Sequence, residues 1–170
     1  MTGTDTTNGF SVPLRERHFD DYIPGLVCTY GSTLISEEDM LAFARQFDPQ
    51  MIHTDPVAAA DGPFGGLIAS GWHTSAVMMQ ILVEHYLNDA VSLASPGVDE
   101  LRWVKPVRPG DILSVRFTVI RARPSRTKPD RGLIHTAVEV LNQNDDPVMT
   151  LTAMNLLLRR PEHMQQSANH

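Results

Sequence analysis

Two side chains that can exchange protons lie close together near residue 50 of this 170-residue chain. Asp48 and His53 are five positions apart, and a glycine-punctuated segment from Gly65 to Gly71 follows them. A carboxylate and an imidazole can hold a water molecule and move its proton, because an imidazole with an unperturbed pKa of about 6.5 can adopt either protonation state at neutral pH. The pair is therefore a candidate for general acid–base chemistry.

A helix is predicted immediately before this pair. Ser36 is followed by three acidic residues, which is typical of an N-cap and of a first turn stabilised by the helix dipole. Apolar residues then recur at three- and four-residue spacing, and Pro49 disfavours the helical conformation in the residue before it, so the helix is expected to end at about residue 47 or 48. The segment Pro49 to Thr54 is short and begins with a proline, so no further helix is predicted there. It is expected to form a loop that returns His53 towards Asp48.

Other roles for these residues stay open at this point. A loop histidine often hydrogen-bonds to the backbone, and an aspartate at a helix end often belongs to a turn. A metal site built from Asp48, His53 and Asp55 would need a further ligand that the sequence does not specify. No metal and no cofactor is predicted.

The rest of the chain predicts one strand, helices, and then four more strands. Leu26 to Leu34 is rich in β-branched and aromatic residues and predicts a strand, Asp55 and Pro56 predict the start of a short helix, and residues 72–87 predict a long helix that is apolar on most sides and therefore buried. Strand patterns follow at Leu93–Lys105, Ile112–Arg123, Leu133–Asn142 and Val148–Leu158. The sequence thus predicts an α+β fold, in which an antiparallel sheet of about five strands wraps a central helix.

Length and composition predict a single domain. With 42% hydrophobic residues the chain can bury one sizeable core, and we expect a mobile N-terminal arm at 1–17, one folded domain at 18–160 and a tail at 161–170. The net charge of -6 argues against nucleic-acid binding. The single cysteine, Cys28, fits a reducing compartment and is expected to be buried. Because neither a signal peptide nor a membrane span is evident, a cytoplasmic protein is expected.

Four segments of the sequence carry a resemblance to a known family. FARQFDPQMIHTDP, GLIASG, LRWVKPVRPGD and SRTKPDRG resemble the MaoC-like dehydratases, relatives of the (R)-specific enoyl-CoA hydratases with the hot-dog fold. The resemblance implies that Asp48 and His53 hold and activate a water molecule and that the backbone N–H of Gly71 binds the thioester oxygen. It also implies an overhanging loop and short helices that carry the site, with a substrate pocket formed by Gln50, Met51, Ser70 and Trp72. The chain departs from the common motif at Gln50, Met51 and Ser70, and Ser70 is expected to hydrogen-bond the helix start.

The implied activity is hydration of an enoyl-CoA to a 3-hydroxyacyl thioester, or the reverse dehydration. Two alternatives stay open, a catalytically silent subunit that binds acyl thioesters and a hot-dog thioesterase. Two protomers are expected to associate through their sheets or through edge strands such as Leu133–Asn142, giving a homodimer or a higher homo-oligomer. Neither a nucleic acid nor a membrane is an expected partner.

Basic residues cluster near one predicted turn although the whole chain is acidic. Such a cluster can bind the phosphates of coenzyme A through charge-assisted hydrogen bonds, and it comprises Arg121, Arg123, Arg126 and Lys128, with Arg131 nearby. A solvated hairpin loop is the alternative interpretation. A second, weaker candidate for the same role comprises Arg102, Lys105 and Arg108.

Overall fold

A computed structural model describes residues 9–164, which form an α+β domain. No helix in this part of the chain is long and apolar enough to cross a bilayer. The helices are α1 Glu37–Phe47, α2 Met51–Thr54, α3 Pro56–Ala60, α4 Gly71–Ile81 and α5 Pro161–Met164, and the strands are β1 Val27–Leu34, β2 Ser92–Trp103, β3 Ile112–Pro124, β4 Arg131–Leu141 and β5 Pro147–Leu158. Short 3₁₀ helices lie at Leu14–Glu16 and Phe19–Asp21, and a π-helical turn at Leu82–Tyr86 extends α4.

The five strands form one antiparallel sheet in the order β1-β3-β4-β5-β2, and α4 packs on it. This confirms the predicted α+β hot-dog arrangement. The order corrects one expectation, because the strand predicted at Leu133–Asn142 is β4, which lies in the middle of the sheet. Hairpins join β4 to both β3 and β5, so it is paired on both sides, and β1 and β2 are the edges.

One side of α4 supplies much of the core. Val77, Met78 and Ile81 are buried among apolar sheet residues. At the end of the π-helical turn the ring of Tyr86 stacks on Phe117, with centroids 4.3 Å apart. Cys28 on β1 is buried in the same core, as predicted.

The opposite side of α4 is exposed in the protomer. Trp72, Met79 and Val83 are large apolar residues that solvent reaches, and their spacing places them along one stripe of the helix. The prediction of a helix buried on most sides is therefore wrong for the isolated protomer. The apolar pattern that motivated it is real, but nothing within the described protomer covers this stripe.

Residues 14–17 are ordered and packed, which corrects part of the arm predicted at 1–17. Leu14–Glu16 form a 3₁₀ helix, and the Arg17 side chain is only 7% exposed. Its guanidinium donates hydrogen bonds to the carbonyl of Val12 at 3.0 Å and to that of His85 at 2.8 Å. The predicted tail begins with α5, while residues 1–8 and 165–170 lie outside the described residues.

The segment expected to loop between Pro49 and Thr54 contains a one-turn helix, α2. Gln50 adopts an extended backbone at the N-cap position, and its carbonyl accepts hydrogen bonds from the N–H of His53 at 2.9 Å and from the hydroxyl of Thr54 at 3.0 Å. Pro49 does end α1, but it lies before the N-cap of the next turn, where a missing N–H costs nothing. The loop prediction was therefore wrong.

The predicted helix starts are confirmed. The Ser36 hydroxyl accepts a hydrogen bond from the backbone N–H of Asp39 at 3.1 Å at the start of α1. The Asp55 carboxylate accepts hydrogen bonds from the N–H groups of Val57 and Ala58, both at 3.0 Å, at the start of α3. These two caps stabilise the starts of α1 and α3, the helices before and after α2, which carries His53.

Candidate active site

Asp48 and His53 are brought together by the turn between α1 and α2. Asp48 is the C-cap residue of α1, and His53 lies on the single turn of α2. The distance from His53 Nε2 to Asp48 Oδ2 is 3.4 Å. The carboxylate and the imidazole are therefore close enough to act on one small molecule.

Two side chains hold the Asp48 carboxylate in place. Gln50 Nε2 donates a hydrogen bond to Oδ1, and the Ser70 hydroxyl donates one to Oδ2, each at 2.7 Å. Hydrogen bonds to the charged form lower the pKa of the Asp48 carboxyl, chiefly those from Gln50 and Ser70, and the nearby His53 lowers it further. Asp48 is thus a fixed, negatively charged acceptor at neutral pH.

The His53 ring is oriented by a backbone carbonyl. His53 is buried, and its Nδ1 lies 2.8 Å from the carbonyl oxygen of Ile68. Because a carbonyl only accepts, Nδ1 carries the proton and donates it. In the neutral ring Nε2 then has a free lone pair, and this is the nitrogen that faces Asp48.

Ser70 and Gly71 form the start of α4 beside this pair. The Ser70 hydroxyl accepts a hydrogen bond from the N–H of Trp72 at 3.2 Å, which confirms that it hydrogen-bonds the helix start. No acceptor for the Gly71 N–H lies among the described residues. A Cβ on Gly71 would lie 2.3 Å from a ring carbon of Trp103, so a larger residue would force the Trp103 ring or the backbone to shift.

A cleft opens on one side of the first turn of α4. This Gly71 cleft has a volume of about 260 Å³ and lies between α4 and the segment 103–107, with Gly71, Thr74 and Lys105 in its lining. The rest of its wall is largely apolar and includes Phe64, whose carbonyl oxygen accepts a 2.6 Å hydrogen bond from the Arg108 guanidinium. Two cations thus lie at or next to this cleft.

A second cleft lies on the other side of α4, between α1, α4 and the end of β1. This His73 cleft has a volume of about 430 Å³, and its wall includes Phe43, Phe47, His73 and Val77. Phe47 directly precedes Asp48 in the chain, and His73 lies in the first turn of α4 after Ser70. The two clefts therefore flank the segment that carries Ser70 and Gly71.

The residues predicted for the substrate pocket divide into two groups. Gln50 and Ser70 both contact the Asp48 carboxylate, so they support the acid–base pair directly. Met51 is 64% exposed and Trp72 is 57% exposed. Neither residue lines the Gly71 cleft or the His73 cleft. The pocket role of Met51 and Trp72 is not supported within one protomer.

The basic cluster predicted to bind coenzyme A lies at the other end of the sheet. The segment before Gly71 contacts the chain just before β3, through a 2.8 Å hydrogen bond from Ala69 N–H to the carbonyl of Val107. Arg121 and Arg123 lie near the opposite end of β3, and Arg126 and Lys128 lie in the turn that follows it. The nearest of them, Arg121, is nine extended residues from the start of β3, or about 30 Å. The structure therefore does not bring Arg121, Arg123, Arg126 or Lys128 to this site within one protomer.

The structure also adds partners that the sequence did not indicate. The Ile68 carbonyl orients the His53 ring, but every residue type has a backbone carbonyl, so the sequence does not reveal this contact. Trp103 covers Gly71 from a strand 32 positions later in the chain, a contact that no local pattern predicts. Asp55 was considered as a third metal ligand, and its carboxylate instead caps α3.

The arrangement can bind and activate one water molecule. Nε2 of neutral His53 and Oδ2 of Asp48 are both acceptors, and they are close enough for the two hydrogens of one water molecule to bond to them at ordinary distances of about 2.8 Å. The water oxygen then presents a lone pair on the side away from Asp48 and His53. Gly71 N–H supplies a donor for negative charge that develops on a nearby oxygen.

Comparison with known proteins adds independent findings. The family described as MaoC like domain matches residues 25–140. The crystal structure of the MaoC-like dehydratase from Rhodospirillum rubrum is 38% identical with a TM-score of 0.80, over 85% of this chain and 99% of that one. The uncharacterized protein YdeM of Bacillus subtilis is 29% identical over 83% of this chain and 98% of its own. The 3-hydroxyacyl-thioester dehydratase Z of Mycobacterium tuberculosis is 32% identical over 62% of this chain and 72% of its own.

Proposed function

Because the chain belongs to the MaoC-like dehydratase family, we propose that it adds water across the C2–C3 double bond of an enoyl thioester, or removes water in the reverse direction. The observation that carries this proposal is the buried His53 ring, held by the Ile68 carbonyl with Nε2 at 3.4 Å from the fixed Asp48 carboxylate. A subunit that only binds acyl thioesters has no need of this pair.

In the forward direction the water oxygen bonds to C3 of the enoyl group. His53 Nε2 takes one proton from the water, and the electron pair of the double bond moves towards the thioester carbonyl. The protonated His53 then returns its proton to C2, so that H and OH have been added and the ring is neutral again. Asp48 orients the water and stabilises the imidazolium. Each step uses a group of the chain or of the substrate, so the proposal includes no separate cofactor.

The Gly71 N–H is proposed to stabilise the enolate oxygen that forms during the reaction. It is the first N–H of α4, where the helix dipole favours negative charge. The loss of one such donor typically lowers turnover by about 100- to 1000-fold. The position of Trp103 agrees with this role, because its ring packs against Gly71 where a Cβ would otherwise lie.

The carrier of the acyl group is proposed to lie in the Gly71 cleft. Coenzyme A and the phosphopantetheine arm of a carrier protein both contain phosphate, which binds Lys and Arg. Lys105 lines the cleft, and Arg108 bonds to the carbonyl of a lining residue. These residues replace the distant hairpin cluster as the carrier site, and they were the weaker alternative in the sequence.

A homodimer is proposed because an apolar stripe and a free strand edge lie side by side. The exposed stripe of Trp72, Met79 and Val83 on α4 is close to the edge strand β2, with which Met79 and Val83 share a shallow cleft lined also by Leu93. Exposed apolar patches and unpaired edges both favour association. A second copy of the chain can cover both features at once.

The test of the proposed reaction is turnover of trans-2-enoyl-CoA, followed by loss of the enoyl absorbance. Asp48→Asn and His53→Gln are each expected to lower turnover at least about 100-fold, the low end for a positioned acid or base. Because both groups act on one water molecule, the double variant should be little slower than the slower single variant.

A matched control is His85→Gln, which replaces an exposed histidine in the π-helical turn after α4 and should leave turnover unchanged. Release of free coenzyme A, detected with a thiol reagent, would instead indicate a thioesterase. If wild type and both single variants bind the thioester without changing it, the silent acyl-binding alternative replaces the hydratase proposal.

A further inference from the structure

His73 is a buried histidine that the proposed reaction does not use. It is only 8% exposed, and its ring stacks on Phe43 with centroids 4.9 Å apart. Its Nδ1 is sealed from solvent and has no hydrogen-bond partner among residues 9–164. A buried polar atom without a partner is costly, so an apolar side chain would be favoured here if the residue only filled space.

The ring can offer its hydrogen bond to only one place. Because Nδ1 is sealed, Nε2 is the ring nitrogen that can reach a molecule in the His73 cleft, whose wall includes the residue. Burial lowers the pKa of His73, which leaves the ring neutral at pH 7. An unpaired N–H costs more than an unpaired lone pair, so the proton resides on Nε2 and the ring is a donor towards the cleft.

The walls of the His73 cleft include residues that are close in the chain to the acid–base pair. Phe47 on one wall is adjacent to Asp48 in the chain, and His73 on the other wall lies three residues after Ser70. The Ser70 hydroxyl and the Asp48 carboxylate are joined by the 2.7 Å hydrogen bond. A thioester whose carrier lies in the Gly71 cleft can reach the His73 cleft with its acyl group by crossing the start of α4.

The charges in the His73 cleft disfavour an anionic acyl group. Its described wall contains the carboxylate of Asp39 and no lysine or arginine. Asp39 also interacts with His73, so a second carboxylate at this place would be repelled. The remaining wall combines apolar side chains, among them Phe43, Phe47 and Val77, with the uncharged polar side chains of Thr33, Gln46 and Gln80. An uncharged oxygen within a mostly hydrocarbon chain fits this combination.

We propose that the acyl group of the natural thioester carries an uncharged oxygen beyond C3, and that this oxygen accepts a hydrogen bond from His73 Nε2. This inference rests on the proposed hydratase function, and it adds a substrate class to it. A cleft built to hydrogen-bond a substrate discriminates strongly against an analogue that lacks the polar group, because its own donor is then left unpaired.

The experiment compares four CoA thioesters with acyl chains of equal length. Oct-2-enoyl-CoA is the all-carbon reference. The 4-propoxybut-2-enoyl, 5-ethoxypent-2-enoyl and 6-methoxyhex-2-enoyl thioesters replace one CH₂ by an ether oxygen at chain positions 5, 6 and 7. The kcat/KM of each is measured with wild type, His73→Leu and His73→Gln, where the glutamine retains a donor.

For wild type we expect one ether to be hydrated at least as efficiently as the octenoyl reference. His73→Leu is expected to lower the ratio of kcat/KM for that ether to kcat/KM for the octenoyl reference by about 5- to 10-fold, the effect of one neutral hydrogen bond. His73→Gln should restore part of this ratio. An unchanged ratio in His73→Leu overturns the inference.

The wild-type profile tests the inference even if His73→Leu does not fold. A cleft without a donor prefers the octenoyl chain to every ether, because it cannot replace the water lost from the oxygen, and that result also overturns the inference. Hydration of octenoyl-CoA by wild type separates the two proposals. If that thioester and all three ethers remain unchanged, the hydratase function itself fails.

Discussion

Ser70 and Ser36 offer a matched pair of variants, because each caps an eleven-residue helix. Both hydroxyls accept a backbone N–H in the first turn, at 3.2 Å for Ser70 and 3.1 Å for Ser36. Only Ser70 also donates to Asp48, at 2.7 Å. The Ser36 hydroxyl also donates to a carboxylate, that of the exposed Asp39 at 2.5 Å. Ser36→Ala therefore measures the loss of a cap away from the site, and Ser70→Ala measures the loss of a cap and of support for the Asp48 carboxylate.

The expected magnitudes separate the two roles. Loss of a serine cap lowers the free energy of unfolding by about 1 kcal/mol, which lowers the melting temperature by about 2–4 °C in a protein of this size. The exposed hydrogen bond from Ser36 to Asp39 adds little to this loss, because water replaces it. Ser70→Ala also loses a part-buried hydrogen bond to the charged Asp48, and we expect a total of about 2 to 3 kcal/mol. Turnover should fall about 10- to 100-fold in Ser70→Ala, since Asp48 is less well placed, and stay at the wild-type level in Ser36→Ala.

The pH dependence of stability gives a second readout. The pKa of Asp48 is lowered in the folded state, so the corresponding stabilisation is present above the unfolded value of about 3.9 and is lost as pH falls through the folded value. Ser70→Ala removes one of the two side-chain donors. The difference in free energy of unfolding between wild type and Ser70→Ala should therefore shrink below about pH 4.

The assays are urea unfolding at several pH values and hydration of an enoyl-CoA under saturating conditions. Circular dichroism checks that both variants remain folded. The reasoning is refuted if Ser70→Ala and Ser36→Ala lose the same stability and both turn over at the wild-type rate. Ser70 would then be a helix cap and nothing more.

Three further predictions concern the oxyanion donor, the carrier site and the oligomer. Gly71→Ala places a methyl carbon 2.3 Å from the Trp103 ring, so we expect hydration of enoyl-CoA to fall at least about 100-fold; a near wild-type rate would remove Gly71 from the mechanism. Lys105→Ala should raise the KM for an enoyl-CoA about 5-fold with little effect on the matching pantetheine thioester, whereas Arg126→Ala should not discriminate between them; the reverse pattern would return the carrier to the hairpin. Val83→Asp should convert a dimer to a monomer in light scattering at micromolar concentration, and a monomeric wild type would contradict the proposed interface.

The sequence predicted the elements well where the determining contacts are local. The caps at Ser36 and Asp55 and the helix end before Pro49 depend on neighbours within a few residues, and the structure has them as predicted. The one-turn helix α2 was not predicted, because Pro49 ends α1 and a proline usually interrupts helical structure. It is a short element whose start depends on the extended backbone of Gln50.

The candidate site was predictable as far as the motif reaches. Asp48 and His53 are close in sequence, and the structure places them close in space, while their catalytic role stays a prediction. The supporting partners Ile68 and Trp103 come from distant segments, and the second one depends on how β2 packs against α4. The hairpin arginines were assigned from charge alone, which does not say at which end of a sheet a cluster lies.

The exposed loop at 61–66 divides the site between two parts of the chain. The acid–base pair precedes it, while the groups that orient the pair, the Ile68 carbonyl and the Ser70 hydroxyl, follow it. A chain opened between Gly65 and Gly66 would give one fragment with β1, α1, α2 and α3 and another with α4 and the other four strands. Each fragment would hold half of the machinery, so hydration would report their reassociation. This loop is thus a natural place to build a split enzyme, whose activity measures the proximity of two fused proteins.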